Sequence, residues 1–144
     1  MNNISNGSVF ERDMCALLSS KGFWCHQIAR TTGGQQPADI IAIFGDYHVL
    51  IDAKVVSTRG FQFSRVEDNQ RSAMHKFQAV GGECGWFALK VNDNVYMLSL
   101  ETIEELEEKN KKSISIIDII ESTYCLPFSR WLNRARAMGN MIRR

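Results

Sequence analysis

Apolar and polar residues follow two different periods along this chain, and the switches between them mark its elements. From Ser8 onward, Phe10, Met14, Leu17 and Leu18 recur at helical spacing, with Ser5 or Asn6 available as cap and Gly22 as a stop. Phe23 to Ala29 reads as a strand, and a loop rich in glycine and glutamine, Thr31 to Gln36, follows it. Asp39 to Phe44 and Tyr47 to Val56 are β-rich runs joined by Gly45-Asp46, a two-residue hairpin signal. Both faces of these runs are apolar, as expected in the middle of a covered sheet.

A loop through Ser57–Phe63 leads to a second predicted helix, from about Arg65 to Val80, ended by Gly81-Gly82. Its apolar stripe is Val66, Gln70, Ala73, Phe77 and Val80, with Gln70 the polar intruder. Gly85–Val91 and Val95–Ser99 read as a second hairpin around Asn92-Asp93-Asn94. A short acidic helix, an apolar stretch Ile114–Ile120 and a basic helix after Pro127 complete the chain. The order α-β-β-β-α-β-β predicts an α/β domain with a mixed central sheet flanked by helices.

A length of 144 residues suits one domain with one core, so residues 1–144 are read as a single unit with a basic C-terminal helix and tail over about 127–144. No run approaches the ~20 apolar residues of a membrane span, and the first residues lack the basic and apolar regions of a signal peptide. A cytoplasmic protein without membrane contact is expected. Cys15, Cys25, Cys84 and Cys125 form no CxxC pair and are expected to be reduced, structural thiols. His26, His48 and His75 lack zinc spacing, and no P-loop or Rossmann glycine pattern is present. The aromatics Phe23, Trp24, Trp86 and Phe87 fall in predicted strands and are expected in the core; stacking on splayed bases is the other reading, which the pattern does not indicate.

The net charge of +1 is silent about nucleic acid, but its distribution is not. Glu101, Glu104, Glu105, Glu107 and Glu108 cluster, while Arg130, Arg134, Arg136, Arg143 and Arg144 share a stretch without carboxylate side chains. Arg59, Arg65, Arg71 and Lys76 add positive charge in the middle of the chain. Such segregation suits a polyanion site on one face, and it also describes a solvated helix with a basic tail. Arg30, Arg59, Arg65, Arg71, Arg130, Arg134 and Arg136 are the candidate DNA contacts.

The hairpin register carries the chemistry. With Gly45-Asp46 as the turn, Phe44 pairs with Tyr47, and Asp39 falls opposite Asp52 on the same face with β-carbons about 5 Å apart. Two carboxylates held together in a buried sheet repel and are costly to desolvate, unless a cation sits between them. Oxygen ligands suit Mg²⁺, with Mn²⁺ as a substitute. Lys54 projects from the same face, where an ammonium can orient water or stabilise charge on a phosphate. The backbone carbonyl of Ala53 is a further metal ligand in reach. Gln70 needs a polar partner, which a carboxylate or metal-bound water at the sheet would provide. Glu11 is the polar intruder of the first helix, beside Met14, Cys15 and Leu18.

Glu11, Pro37-Ala38-Asp39, Asp52-Ala53-Lys54 and Gln70 together resemble the PD-(D/E)XK nuclease superfamily, whose fold is the restriction-endonuclease-like mixed sheet. Gly7-Ser-Val-Phe-Glu11, Phe61-Gln-Phe63, Asn69-Gln70, Gly81-Gly82 and Lys112-Ser-Ile114 extend the likeness to Holliday junction resolvases of the RecU type, with archaeal Hjc resolvases a little further away. The resemblance implies a homodimeric, metal-dependent endonuclease that binds a four-way junction and nicks two strands symmetrically. By position, Asp39 and Asp52 would hold the metal, Glu11 would support its shell, Lys54 would position the attacking water, and Gln70 would orient Lys54 or a water. Two features depart from the RecU pattern: Asp52 stands where glutamate is usual, and the segment between Trp24 and Asp39 is short for a stalk. On the resemblance the Gly33-Gly34 loop is a candidate remnant of that contact, and the alternative reading is a merely flexible loop. Two other readings are a repair or restriction-type nuclease on other DNA, and a non-catalytic DNA-binding module of the same fold.

Overall fold

In the computed structural model, which describes residues 3–29 and 36–141, six strands form one mixed sheet with helices on both faces. Arg30, the loop from Thr31 to Gln35 with Gly33-Gly34, and Arg143 and Arg144 lie outside the described residues.

Helix α1 spans Asn3–Ser20, starting five residues before the expected Ser8. Its first turn carries no apolar stripe, so periodicity could not reveal it. Phe10, Met14 and Leu18 are buried. The helix ends in a Schellman arrangement: Phe23 N–H donates to Leu18 O at 3.1 Å and Gly22 N–H to Ser19 O at 3.2 Å, with Gly22 at φ +94°.

Strands β1 (Trp24–Gln27), β2 (Ile40–Phe44) and β3 (Tyr47–Val55) form an antiparallel meander. The first hairpin has the expected register: Phe44 pairs with Tyr47, Ile43 with His48, and so on to Ile40 with Ile51. Its turn packs tightly against the last helix. Gly45 has φ +59°, and a Cβ there would lie 2.4 Å from Gly139 O, so both the conformation and the space require glycine.

The chain then crosses over through β4 (Phe61–Gln62), a 3₁₀ turn at Phe63–Arg65 and helix α2 (Asp68–Ala79). It returns as β5 (Trp86–Val91), which runs parallel to β3. Strand β6 (Asn94–Ser99) forms the second hairpin with β5, around Asn92 at φ +55°. Helix α3 (Leu100–Glu108) is capped by Ser99, whose Oγ accepts from Thr102 N–H at 3.0 Å. Strand β7 (Ser113–Ile114) pairs with β4, α4 covers Ile116–Ile120, and β8 (Leu126–Pro127) adds to β6. Helix α5 (Phe128–Met141) closes the fold. The main sheet has the order β1-β2-β3-β5-β6-β8.

Each face of the sheet has its own core. On one, Phe10, Met14 and Leu18 of α1 and Trp131, Leu132 and Ala135 of α5 pack on Ile40, Ala42, Val49, Ile51 and Ala53. On the other, Met74 of α2 and Leu100, Ile103 and Leu106 of α3 pack on Leu50, Phe87, Leu89 and Leu98. Strand alternation therefore assigns Leu50, Asp52 and Lys54 to the α2 face and Ile51 and Ala53 to the α1/α5 face.

Two core expectations need correction. Val80 is 85% exposed, because α2 stops at Ala79 and its buried positions are Gln70 and Met74, with Phe77 half-buried. Trp24 is 58% exposed, because β1 is an edge strand and no described helix covers its outer positions. The four cysteines are free thiols. Among the described residues no helix is long and apolar enough to cross a membrane.

Candidate active site

The hairpin ladder brings the carboxylates together. One step beyond the Ile40–Ile51 pair, Asp39 faces Asp52 across β2 and β3. Asp39 is held at its own backbone, where its carbonyl accepts from Ile28 N–H at 2.8 Å. Its side chain reaches over the neighbouring strand, and Oδ2 accepts from Ala53 N–H at 2.8 Å. Asn69 of α2 steadies the approach to Asp39 by donating from Nδ2 to Gln36 O at 3.2 Å. Asp39 is 6% exposed and Asp52 1%.

Asp52 is held from two sides. Gln70 Nε2 donates to Oδ1 at 2.9 Å, and Lys54 Nζ lies 2.9 Å from Oδ2. Gln70 thus has the polar partner that its place on a buried stripe demanded, and the partner is the Asp52 carboxylate. Its Oε1 also accepts from Glu67 N–H at 3.3 Å, completing a capping box at the start of α2. One amide side chain therefore fixes both the helix entry and the carboxylate. Asp52 Oδ2 is buried and, among the described residues, has no hydrogen-bond partner, with the Lys54 ammonium beside it.

Burial first, and then the charge of Asp52, push the Asp39 carboxyl up to about 8, against the Ala53 N–H, which works in the opposite direction. A smaller push comes from Glu11 on α1, which places that carboxylate within electrostatic reach of Asp39. The pair is short of positive charge.

The donor set fits a hard divalent cation. It offers two buried carboxylates side by side, and among the described residues Asp52 Oδ2 has the Lys54 ammonium beside it but no hydrogen-bond partner. Among the described residues no three His, Cys, Asp or Glu side chains form a closed cage, so water and a phosphate would complete the shell, as Mg²⁺ commonly prefers.

The arginines separate into different regions. Arg65 is beside the site: Nη1 donates to Val55 O at 3.0 Å, the guanidinium lies 5.8 Å from the Phe61 ring centroid, and Asp52 acts on it electrostatically. Arg59 is exposed in the turn that follows β3. Arg71 is turned away from the site. It ion-pairs with Glu107 at 2.7 Å and Glu104 at 3.0 Å, and these carboxylates hold its guanidinium still more firmly protonated. It therefore joins α2 to α3, with its guanidinium engaged by these carboxylates.

Arg130, Arg134 and Arg136 are exposed on α5, which packs on the face opposite Asp52. Arg136 lies 5.7 Å from the Phe44 ring, near the hairpin turn. The fold does not bring these three to the carboxylates. His48 bonds Gly45 O at 3.2 Å, at the hairpin turn and away from Asp39 and Asp52. Sequence reasoning missed the exposed pair Trp24 and His26, whose rings stack at 5.9 Å with planes 10° apart. The available signal was two rings at i and i+2 on a strand ending at a sheet edge.

No curated protein matches the chain. Among solved structures it is similar to Hjc, a Holliday junction resolvase from the hyperthermophile Archaeoglobus fulgidus, with a TM-score of 0.64 and 18% identity over 88% of this chain and 98% of that one. At that identity the likeness concerns the fold: a mixed sheet flanked by helices. The family model of the archaeal Holliday junction resolvases matches residues 2–131, a span that holds Glu11, Asp39, Asp52, Lys54 and Gln70. By that match the chain belongs to the archaeal Holliday junction resolvase (Hjc) family.

Proposed function

We propose that this protein is a divalent-metal-dependent endonuclease that resolves four-way DNA junctions as a homodimer. The observation that carries the reading is the buried pair Asp39 and Asp52, with Lys54 on the same face, in a chain of this family. Paired carboxylates at the cost of desolvation serve little in a module that only binds DNA.

Asp39, Asp52 and the Ala53 carbonyl would hold Mg²⁺, with Mn²⁺ as a substitute, and Glu11 would support that shell from α1. The ion, when bound, supplies Lewis-acid polarisation of the phosphate and lowers the pKa of water. Gln70 keeps Asp52 in one orientation through the 2.9 Å bond to Oδ1. Lys54 Nζ, beside Asp52 Oδ2, orients the attacking water and neutralises charge that builds on the phosphate oxygens during in-line displacement. Arg65 and Arg59, next to the end of β3, are the arginines placed to meet the flanking phosphates.

Each chain supplies one such centre, and symmetric nicking of two strands needs two, which is the physical ground for a homodimer. Action on DNA in the cytoplasm fits a chain with reduced cysteines and no apolar helix of spanning length among its described residues.

The test uses labelled four-way junctions and matched linear duplex, in Mg²⁺ or EDTA, resolved on a denaturing gel. Paired symmetric nicks in the junction alone, lost in EDTA, are expected. Cutting of every substrate would remove junction selectivity, and binding without cutting in either Mg²⁺ or Mn²⁺ would remove the enzyme.

A further inference from the structure

The α2 face of the sheet is covered only in part. Near Asp52 it lies under α2 and α3, but toward the first hairpin Ile41, Ile43 and His48 are only half-buried. At the open edge of that region stand Trp24 and His26, both exposed. Cys25 between them packs on the α1/α5 side, so alternation turns Trp24 and His26 to the face that carries Asp39 and Asp52.

Position along the strands then sets their distance from the carboxylates. Trp24 pairs with Ile43 and His26 with Ile41, four and two residues from Asp39 on β2. At about 3.3 Å per residue these are roughly 13 Å and 7 Å along the strand. That interval spans about two to four base steps at about 3.4 Å each.

The two rings are not merely exposed. They lie 10° from parallel with centroids 5.9 Å apart, so indole and imidazole form a stack of two with an outer indole surface open to solvent. A lone exposed tryptophan is unremarkable. A parallel aromatic pair flanked on the neighbouring strand by Ile43 and Ile41, on the same face as a phosphodiester-cleaving centre, has a specific complement. That complement is a flat nucleobase freed from its own stack.

We infer that Trp24 and His26 form a stacking platform for an unpaired or unstacked base of the branched substrate, a few nucleotides from the scissile phosphate. The inference rests on the resolvase reading above and adds a contact that tells a branch point from continuous duplex. In duplex every base already stacks on its neighbours and gains nothing from the platform, whereas a base splayed at a branch point does. Trp24 is thereby a specificity residue that acts on binding and registration, while Asp39, Asp52 and Lys54 remain the reacting centre.

The test measures binding in EDTA of full-length protein to a four-way junction carrying 2-aminopurine at the branch point, and to a matched duplex. Wild-type protein should quench the 2-aminopurine signal, as stacking on an aromatic does. Trp24→Ala should abolish that response and weaken junction binding by about 5- to 150-fold, with duplex binding nearly unchanged. Trp24→Phe should restore most of both. Circular dichroism checks that the exposed substitution leaves the fold intact, and sedimentation reports the oligomeric state. Unchanged junction binding by Trp24→Ala, or an equal loss on junction and duplex, overturns the platform. So does a Trp24→Ala protein that has only lost its dimer, since the face would then be an interface between copies. Wild-type protein that cuts junctions while Trp24→Ala matches it overturns the platform alone. Wild-type protein that binds no junction overturns the resolvase reading and the platform with it.

Discussion

The Asp39 carboxylate accepts a hydrogen bond at 2.8 Å from the backbone N–H of Ala53, the residue between Asp52 and Lys54. This single bond ties the carboxylate of one strand to the backbone of the next. It draws Asp39 against Asp52, and the two strands cannot slide without breaking it. The pair is consequently a property of the hairpin, set by register and locked by a side chain. Its instability as two neighbouring anions is what makes it a cation site.

Replacement of Asp52 by Asn should reduce junction cleavage to the level seen in EDTA, while leaving junction binding within a few-fold of wild type. The amide keeps the volume and the Gln70 contact but removes the anion that would hold Mg²⁺. Gel-based cleavage and a binding titration on the same substrate check both halves, and retained cleavage would end the assignment.

Metal-free stability should depend on Asp39 and on pH. The folded carboxyl titrates at about 8, whereas an unfolded aspartate titrates near about 4. Between these values the folded protein holds a proton that the unfolded chain has released. The stabilisation is therefore complete below about pH 4 and is lost as pH rises through about 8. In EDTA, thermal midpoints of wild type should fall over this range beyond what Asp39→Asn shows, and the variant should be the more stable of the two near pH 8. Mg²⁺ should raise the wild-type midpoint and leave that of the variant unmoved. Parallel midpoints at every pH would show that the carboxyl is not perturbed.

Gln70→Ala removes the bond to Asp52 Oδ1 and one half of the α2 capping box. The Mg²⁺ concentration for half-maximal cleavage should rise, or activity fall, by about 10- to 100-fold, as is usual when the group that orients a ligand is lost. A stability loss of about 1 kcal/mol should accompany it from the cap. A Mg²⁺ titration of the rate separates the two effects, since a purely structural role would leave the metal dependence unchanged.

Arg71→Ala should act on stability and not on DNA. Its partners are Glu107 and Glu104, and the pairs are partly exposed, so a loss of up to about 1 kcal/mol is expected in urea unfolding. Junction affinity should stay at wild type, whereas Arg65→Ala should weaken it and flatten its salt dependence. Equal losses from the two variants would restore Arg71 as a DNA contact.

Gly139→Ala should destabilise the fold by about 1–3 kcal/mol, because its Cβ would fall 2.1 Å from Phe44 O where α5 meets the hairpin turn. Thermal unfolding measures it. An unaffected midpoint would mean that the contact yields freely.

Much of the site was legible in the sequence because its geometry is local. Gly45-Asp46 fixes a two-residue turn, the turn fixes register, and register with a period of two brings Asp39 opposite Asp52 and puts Lys54 on their face. Gln70 could be singled out by the same kind of reasoning, as one amide on an apolar helical stripe. What its side chain bonds was decided by the crossover that lays α2 over β3, and no pattern in the sequence contains that contact.

The arginines and Trp24 show where local reasoning stops. Charge alone made Arg71, Arg130, Arg134 and Arg136 candidate DNA contacts, but the fold ties Arg71 to α3 and puts the other three across the sheet from the carboxylates. Trp24 lies in a strand as its pattern says, yet it is exposed because β1 is at the sheet edge, with no helix of the described chain above it. Periodicity settles which side chains share a face, since it depends on neighbouring dihedrals alone. Whether a given face is buried depends on which distant helix packs there, and that is decided by contacts between segments far apart in the chain.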